Sequence, residues 1–459
     1  MNLLALFSLI FLVGFTAFYI VLFKGTIYDP RNSWWSLLFY KELFFVLFPV
    51  FLVSLYGADN IPIFFIARAG VEVYTAIIVY ATLLIFILSF KFFVKALKIS
   101  SYLASNRPPF PSGSSVHIIC IHLACFGLLV FVFFYWLGYR HALITSLTEG
   151  SSLLAVRLRN AYFSSVPSQI AHILPLIGCL LSISSGILYS QGRKPALVYL
   201  AIALFLLSAR GDKAPALYGL IVFTFSFLKP PRLVYSKIKV QVKLIFSFAL
   251  LCISIWYLVS LQIPELDPKK FYDYLFRRVA LGNMAGLYET VQLINDGHSF
   301  DQGFAWHAVP FARFFASYTD YSKYLMMFTE GYAFTEMGVK NTYFAAEAYA
   351  MGGWALLVLS PVIVAFSVAF TLKILTSLFV GMYGVYGYCF VVPITLNYFG
   401  LTGGFASFPL FKGLILLCCY ILVLTISFKF TVKIVGAMFF SSKYRSGRRR
   451  HNDFRLPLS

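Results

Sequence analysis

Residues 195–228 read PALVYLAIALFLLSARGDKAPALYGLIVFTFSFL. Two apolar runs, 195–208 and 214–228, flank a short charged turn. Neither run alternates apolar with polar residues, as a barrel strand must. A chain in hydrocarbon has to pair its own backbone amides, and a run without alternation does so as a helix. At 1.5 Å per residue, fifteen residues reach roughly 22 Å, short of the ~30 Å apolar core of a bilayer. Arg193 and Lys194 precede the first run and Lys229 follows the second. The turn bearing Arg210, Asp212 and Lys213 is therefore expected below the far membrane surface, in a pocket. Ionised groups at that depth are costly and mark functional sites. The plainer alternative is an interfacial hairpin in which Asp212 pairs with Arg210 or Lys213 and the long side chains snorkel.

Outward from this hairpin the same texture continues. The 459 residues are 60% hydrophobic and only 12% charged, about half the charged fraction of a soluble domain. Apolar runs at 3–23, 36–56, 71–90, 116–138, 169–189, 243–262, 352–371, 378–396 and 410–428 complete a set of about eleven spans (10–12). The first has no basic leader and no small-residue cleavage site, so it is expected to stay as a helix. Together they predict an all-α polytopic membrane protein. It divides into an N-terminal bundle (1–262), a large polar loop (263–350), C-terminal helices (351–440) and a basic tail (441–459). The lipid bilayer is its first expected partner.

A net charge of +20 would suggest nucleic acid in a soluble chain. Here it follows the positive-inside rule. Lys91, Lys95, Lys98 and Arg107 share one connection. Lys229, Arg232, Lys237, Lys239 and Lys243 share another, and the tail is rich in arginine. All fall on one side, which is then cytoplasmic. The 263–350 loop lies on the other side, and its seven basic and ten acidic residues leave it near −3. No nucleic-acid partner is expected. The loop's many aromatics oppose disorder and suggest amphipathic surface helices, including 268–295. The cysteines all sit in apolar runs and read as small buried hydrophobes.

Three segments can carry chemistry. The Arg210 turn is the first. The second is Phe276–Asn283, where Arg277 or Arg278 could hold a phosphate through a bidentate fork or anchor the loop on lipid headgroups. The third is Asn341–Trp354, where Glu347 stands at the border of loop and hydrocarbon. Partial burial there suits a general base, although a carboxylate near a helix N-terminus can also be purely structural. Arg157, Arg159, Arg313, His298, His307 and Lys412 are lesser candidates. Phosphate-binding glycine loops, G-x-S-x-G and H-E-x-x-H are all missing, so neither nucleotide hydrolysis nor a histidine-ligated zinc is expected.

Arg210-Gly211-Asp212-Lys213 after a mid-chain helix, the Arg277–Gly286 stretch of one large late loop, and Tyr343–Gly353 leading into a late helix together resemble the Wzy-type polymerases of O-antigen and capsule repeat units. The resemblance spans the whole layout but only about forty residues of motif. It implies a GT-C-like membrane glycosyltransferase of the bacterial inner membrane, with the large loop in the periplasm. Its substrate would be an undecaprenyl-diphosphate-linked oligosaccharide, its product an O-antigen or related surface polysaccharide, and its partner a chain-length-regulating co-polymerase. No cofactor or metal is implied. In that frame Arg210, Lys213, Arg277, Arg278 and Arg313 would bind the diphosphate. Glu347 would serve as the general base, with His307 and Asp212 behind it and Arg210 stabilising the leaving group. An O-antigen ligase, a lipid-linked oligosaccharide flippase or a non-enzymatic scaffold are the competing expectations.

Overall fold

The computed structural model describes residues 3–26, 34–61, 66–99, 113–151, 153–211, 213–228, 282, 284–300, 302–310, 312, 315, 320–330 and 342–445. All regular structure among them is helical. In chain order the helices are α1 (Leu3–Leu22), α2 (Trp34–Tyr56), α3 (Val71–Ala96), α4 (Gly113–Trp136), α5 (Ala142–Glu149), α6 (Leu153–Phe163) and α7 (Ile173–Ser190). They continue with α8 (Ala196–Ser208), α9 (Lys213–Leu228), α10 (Ala285–Asn295), α11 (Tyr321–Glu330), α12 (Phe344–Tyr383), α13 (Tyr388–Tyr398) and α14 (Lys412–Arg445). Seven described helices are long and apolar enough to cross a membrane: α1, α2, α3, α4, α7, α12 and α14. Their outer faces carry Phe7, Ile77, Val132, Leu422 and Phe430 fully or largely exposed. So much exposed apolar surface on a water-soluble chain would drive aggregation, and a bilayer removes the conflict. The chain is a polytopic α-helical membrane protein. The run at 243–262 lies outside the described residues.

Helix α7 is the axis of the bundle, buried from Ile173 to Leu188. Small residues let its neighbours close on it, as they do where helices meet in lipid. A Cβ on Gly178 would stand 2.9 Å from the Ala203 carbonyl oxygen of α8. One on Gly186 would stand 2.5 Å from the Phe223 carbonyl oxygen of α9. Polar pairs add register. Ser8 and Ser54 meet at 3.0 Å across α1 and α2, and His122 meets Thr431 at 3.0 Å across α4 and α14.

The C-terminal spans differ from the sequence reading. The expected crossings at 352–371 and 378–396 are instead one helix from Phe344 to Tyr383, followed by the 11-residue α13. The helix breaks once inside, at Gly352 and Gly353, where Gly353 has φ +62°. That left-handed step is open to glycine at no steric cost. Its first two turns, 344–351, are thus a separate piece set against the long remainder. Gly384, at φ +60°, ends the helix, and α13 is too short to cross. After α13 a connection without α-helix, residues 399–411, leads into α14.

Contacts fix the two ends of the bundle. His117 of α4 bonds Tyr199 of α8 at 2.8 Å, joining the ends that carry Lys98 and Arg193–Lys194. Arg210, at the end of α8, meets His172 at the start of α7. The Tyr398 hydroxyl, at the end of α13, donates to the His172 carbonyl at 3.4 Å. Lys412 opens α14 at that same end, whereas Lys429 and Lys433 lie along it towards the basic end. Among the described candidates, Arg210 and Lys412 therefore lie at the end away from Lys98 and Arg193–Lys194.

Helix α10 corrects a further expectation. Residues 268–281 and 283 of the expected surface helix lie outside the described residues, and the described part does not lie on the surface. Ala285 to Leu293 are all buried, Glu289 and Thr290 included, because α3, α11 and α12 pack around it. Two cysteines, Cys125 and Cys419, are exposed on helix faces rather than buried.

Candidate active site

Glu347 sits in the first turn of the leading piece of α12, with its side chain 2% exposed. A carboxylate buried so deeply needs partners for both oxygens. Oε1 accepts from His307 Nδ1 at 3.1 Å, and Oε2 accepts from the Ala406 backbone N–H at 3.0 Å. Gly404 makes room for this grip, since a Cβ there would lie 2.3 Å from Oε2. His307 belongs to a 3₁₀ turn, Gln302–Ala308, and its carbonyl accepts from the Lys412 ammonium. Its ring keeps a fifth of its side-chain surface open.

Across that ring stands Asp320. Its Oδ1 accepts from the backbone N–H and hydroxyl of Ser322, at 2.9 and 2.5 Å, which caps the start of α11. Its Oδ2 faces His307 Nε2 at 3.7 Å. A neutral imidazole has one proton for two carboxylates. Given to Glu347 at the shorter distance, it leaves the Nε2 lone pair facing the Asp320 oxygen. At 3.7 Å the two atoms stand just beyond hydrogen-bond distance. One ligand atom from each of His307, Asp320 and Glu347 lies within 4.8 Å of the others.

A second carboxylate grips the same connection. Glu42, buried in α2, accepts from the Leu401 N–H at 3.1 Å and pairs with Lys41 at 2.9 Å. Ser367 of α12 donates to the Phe408 carbonyl at 3.0 Å. Residues 399–411 thus form a strap held at three points. Its last two residues, Leu410 and Phe411, have φ +54° and +53°, a left-handed backbone that costs apolar residues of order 1–3 kcal/mol each. The strap runs from Tyr398, on the His172–Arg210 pair, to Ala406, on Glu347. That links the Arg210 turn to the carboxylate.

The Arg210 guanidinium can only donate, so His172 Nε2 accepts. Gly211, at φ +78°, passes so close to α5 and α6 that a Cβ would meet that of Ala142 at 2.9 Å and the Arg157 Cγ at 3.2 Å. The Ala142 N–H donates to the Ala209 carbonyl at 2.9 Å, so the turn lies under these two short helices. His141 caps α5 through Nδ1 and bonds the Phe205 carbonyl of α8 through Nε2, at 2.9 Å. Burial pushes its imidazole below the usual range, against the smaller opposing effect of its bonds to the Phe205 backbone and to its own main chain.

The structure brings Glu347 and His307 into contact and sets Arg210 and Lys412 at the same end of the bundle. Arg277, Arg278, Arg313, Asp212 and the Lys213 side chain lie outside the described residues. Arg159 forms an exposed pair with Glu149 at 3.2 Å. His298 packs among Tyr324, Phe300 and Phe328, a structural place. Much of the loop's aromatic content is likewise core: Tyr288 and Tyr321 are fully buried. Burial, more than the neighbouring Glu347 and Glu289 carboxylates, drives the Tyr321 phenol far above its usual range. Asp320, His172 and Glu42 were not singled out in the sequence. Glu42 did carry a signal, being the one acid inside the run 36–56.

No protein-family model matches the sequence, no curated protein is detectably similar to it, and no solved structure matches its fold. The class the fold defines is that of a multi-pass helical membrane protein with a buried carboxylate–imidazole pair at the end that carries Arg210 and Lys412.

Proposed function

We propose that the chain is a membrane glycosyltransferase of the Wzy type, joining undecaprenyl-diphosphate-linked oligosaccharide repeat units at the periplasmic face of the inner membrane. The observation that carries the reading is His307. Its Nδ1 is held by buried Glu347 at 3.1 Å, its Nε2 faces Asp320 at 3.7 Å, and a fifth of its side chain is exposed. This is the arrangement of an oriented general base. The roles first read from the sequence therefore exchange. Both Glu347 oxygens are engaged, so Glu347 orients the ring and His307 takes the proton.

In the transfer, the acceptor sugar hydroxyl sits between Nε2 and Asp320 Oδ2. Its oxygen attacks the anomeric carbon of the growing glycan, and its proton passes to Nε2. The bond from that carbon to the diphosphate oxygen breaks, and the lipid diphosphate leaves with the electron pair. Fixed cations lower the cost of that charge, and Arg210 and Lys412 are two described cations suited to the role.

Glycan banding of a deletion strain tests the reading. Complementation with wild type should restore long polymer, and His307→Gln or Arg210→Ala should leave single repeats. A ligase would instead lose surface glycan altogether. Transfer between purified lipid-linked repeats separates an enzyme from a flippase or a scaffold, and its absence in the wild-type protein would end the proposal.

A further inference from the structure

The facing acceptors at His307 and Asp320 suit a cation as well as a hydroxyl. Bonds of about 2.0–2.1 Å place two ligands of a tetrahedral ion roughly 3.3 Å apart, and Nε2 and Oδ2 stand at 3.7 Å. A small side-chain movement closes that difference. Glu347, at 3.1 Å from Nδ1, already supplies the carboxylate that orients a metal-bound imidazole and fixes its tautomer. The ring and Asp320 are each a fifth to a quarter exposed, which gives an ion a way in and leaves positions for water. Nitrogen with carboxylate oxygen is a donor set for a borderline divalent ion, zinc above all. No sequence motif announces the site, since its residues come from a 3₁₀ turn, the cap of α11 and the start of α12.

We propose that His307 Nε2 and Asp320 Oδ2 bind a divalent cation of the zinc class, with Glu347 as the orienting carboxylate, and that this ion and the acceptor hydroxyl compete for one place. The competition, though not the binding, rests on the transferase reading above. Zinc then acts as a reversible inhibitor that withdraws the base.

The test uses the full-length chain in nanodiscs and zinc alone, with a chromophoric chelator as competitor and no transfer reaction. Wild type should bind one equivalent that His307→Gln and Asp320→Asn lose. Glu347→Gln should weaken the site about 10- to 100-fold. Asn still caps a helix, so Asp320→Asn guards against loss through misfolding, with a thermal melt confirming the fold. Equal zinc affinity in wild type and Asp320→Asn, or no saturable binding in wild type, overturns the site. In a second arm, zinc should suppress transfer by wild type, and chelator should restore it. Transfer unchanged with the site filled overturns the competition. If wild type shows no transfer even without zinc, the transferase reading fails while the binding arm is still decided.

Discussion

Two buried carboxylates hold the strap between α13 and α14, and they differ in what else they hold. Glu42 accepts from Leu401 and turns its other oxygen to Lys41, its own neighbour in sequence. Glu347 accepts from Ala406 and turns its other oxygen to His307, forty residues away. The first arrangement is closed, since a lysine satisfies the charge. The second ends in an imidazole that is itself a fifth exposed and faces Asp320. Gripping the backbone is common to both, so burial of a carboxylate does not by itself mark chemistry. The second partner does.

The largest expected effect separates the two directly. Glu347→Gln should lower transfer between purified lipid-linked repeats by up to about 10²- to 10⁴-fold, the worth of the positioned base that it orients. Glu42→Gln, whose amide oxygen can still accept from Leu401, should keep most of the activity and show its cost in thermal unfolding, at roughly 1.5–3 kcal/mol. Equal losses of activity would break the comparison. Next comes Arg210→Lys, which keeps the charge but not the planar fork. Loss of one charge-assisted hydrogen bond of roughly 1.5–3 kcal/mol corresponds to about 10- to 100-fold, read in the same assay.

The glycines beneath the carboxylates sharpen the contrast further. Gly404→Ala puts a methyl 2.3 Å from the Glu347 oxygen, and Gly400→Ala puts one 3.0 Å from that of Glu42. Overpacking of this kind costs about 1–3 kcal/mol. Gly404→Ala should reduce both melting temperature and transfer, and Gly400→Ala should lower melting temperature alone, by less. The smallest effect concerns His141. Its imidazole is held neutral in the fold, below its ordinary range, so the unfolded chain binds more protons at low pH. The stability from burying a neutral ring whose Nδ1 accepts from the Ile144 N–H is complete above the unfolded value near 6.5 and fades as pH falls below it. Melting curves between neutral and mildly acid pH should show a steeper loss in wild type than in His141→Gln.

Much of the fold was legible because hydrocarbon imposes length and self-pairing on every run. The short hairpin around Arg210 and the basic end emerge from counting alone. The run 378–396 misled because periodicity does not register that Gly384 stops a helix, so one long helix and a short one looked like two spans. At the site, Glu347 stood out as an acid at the edge of an apolar stretch. His307 resembled an ordinary surface histidine, and Asp320 was one loop acid among several. Their meaning comes from tertiary proximity across 27 and 40 positions, which neither spacing nor composition records. The strap was hidden for another reason: Gly400, Gly403 and Gly404 look like a plain turn until two carboxylates are seen beneath them.

The break in α12 has a mechanical consequence. Glu347 rides on two turns that are jointed at Gly352 and Gly353 to a shaft running on to Tyr383. The break turns the two parts of α12 in different directions, so the carboxylate's heading is set by its cradle of loop and strap rather than by the line of the shaft.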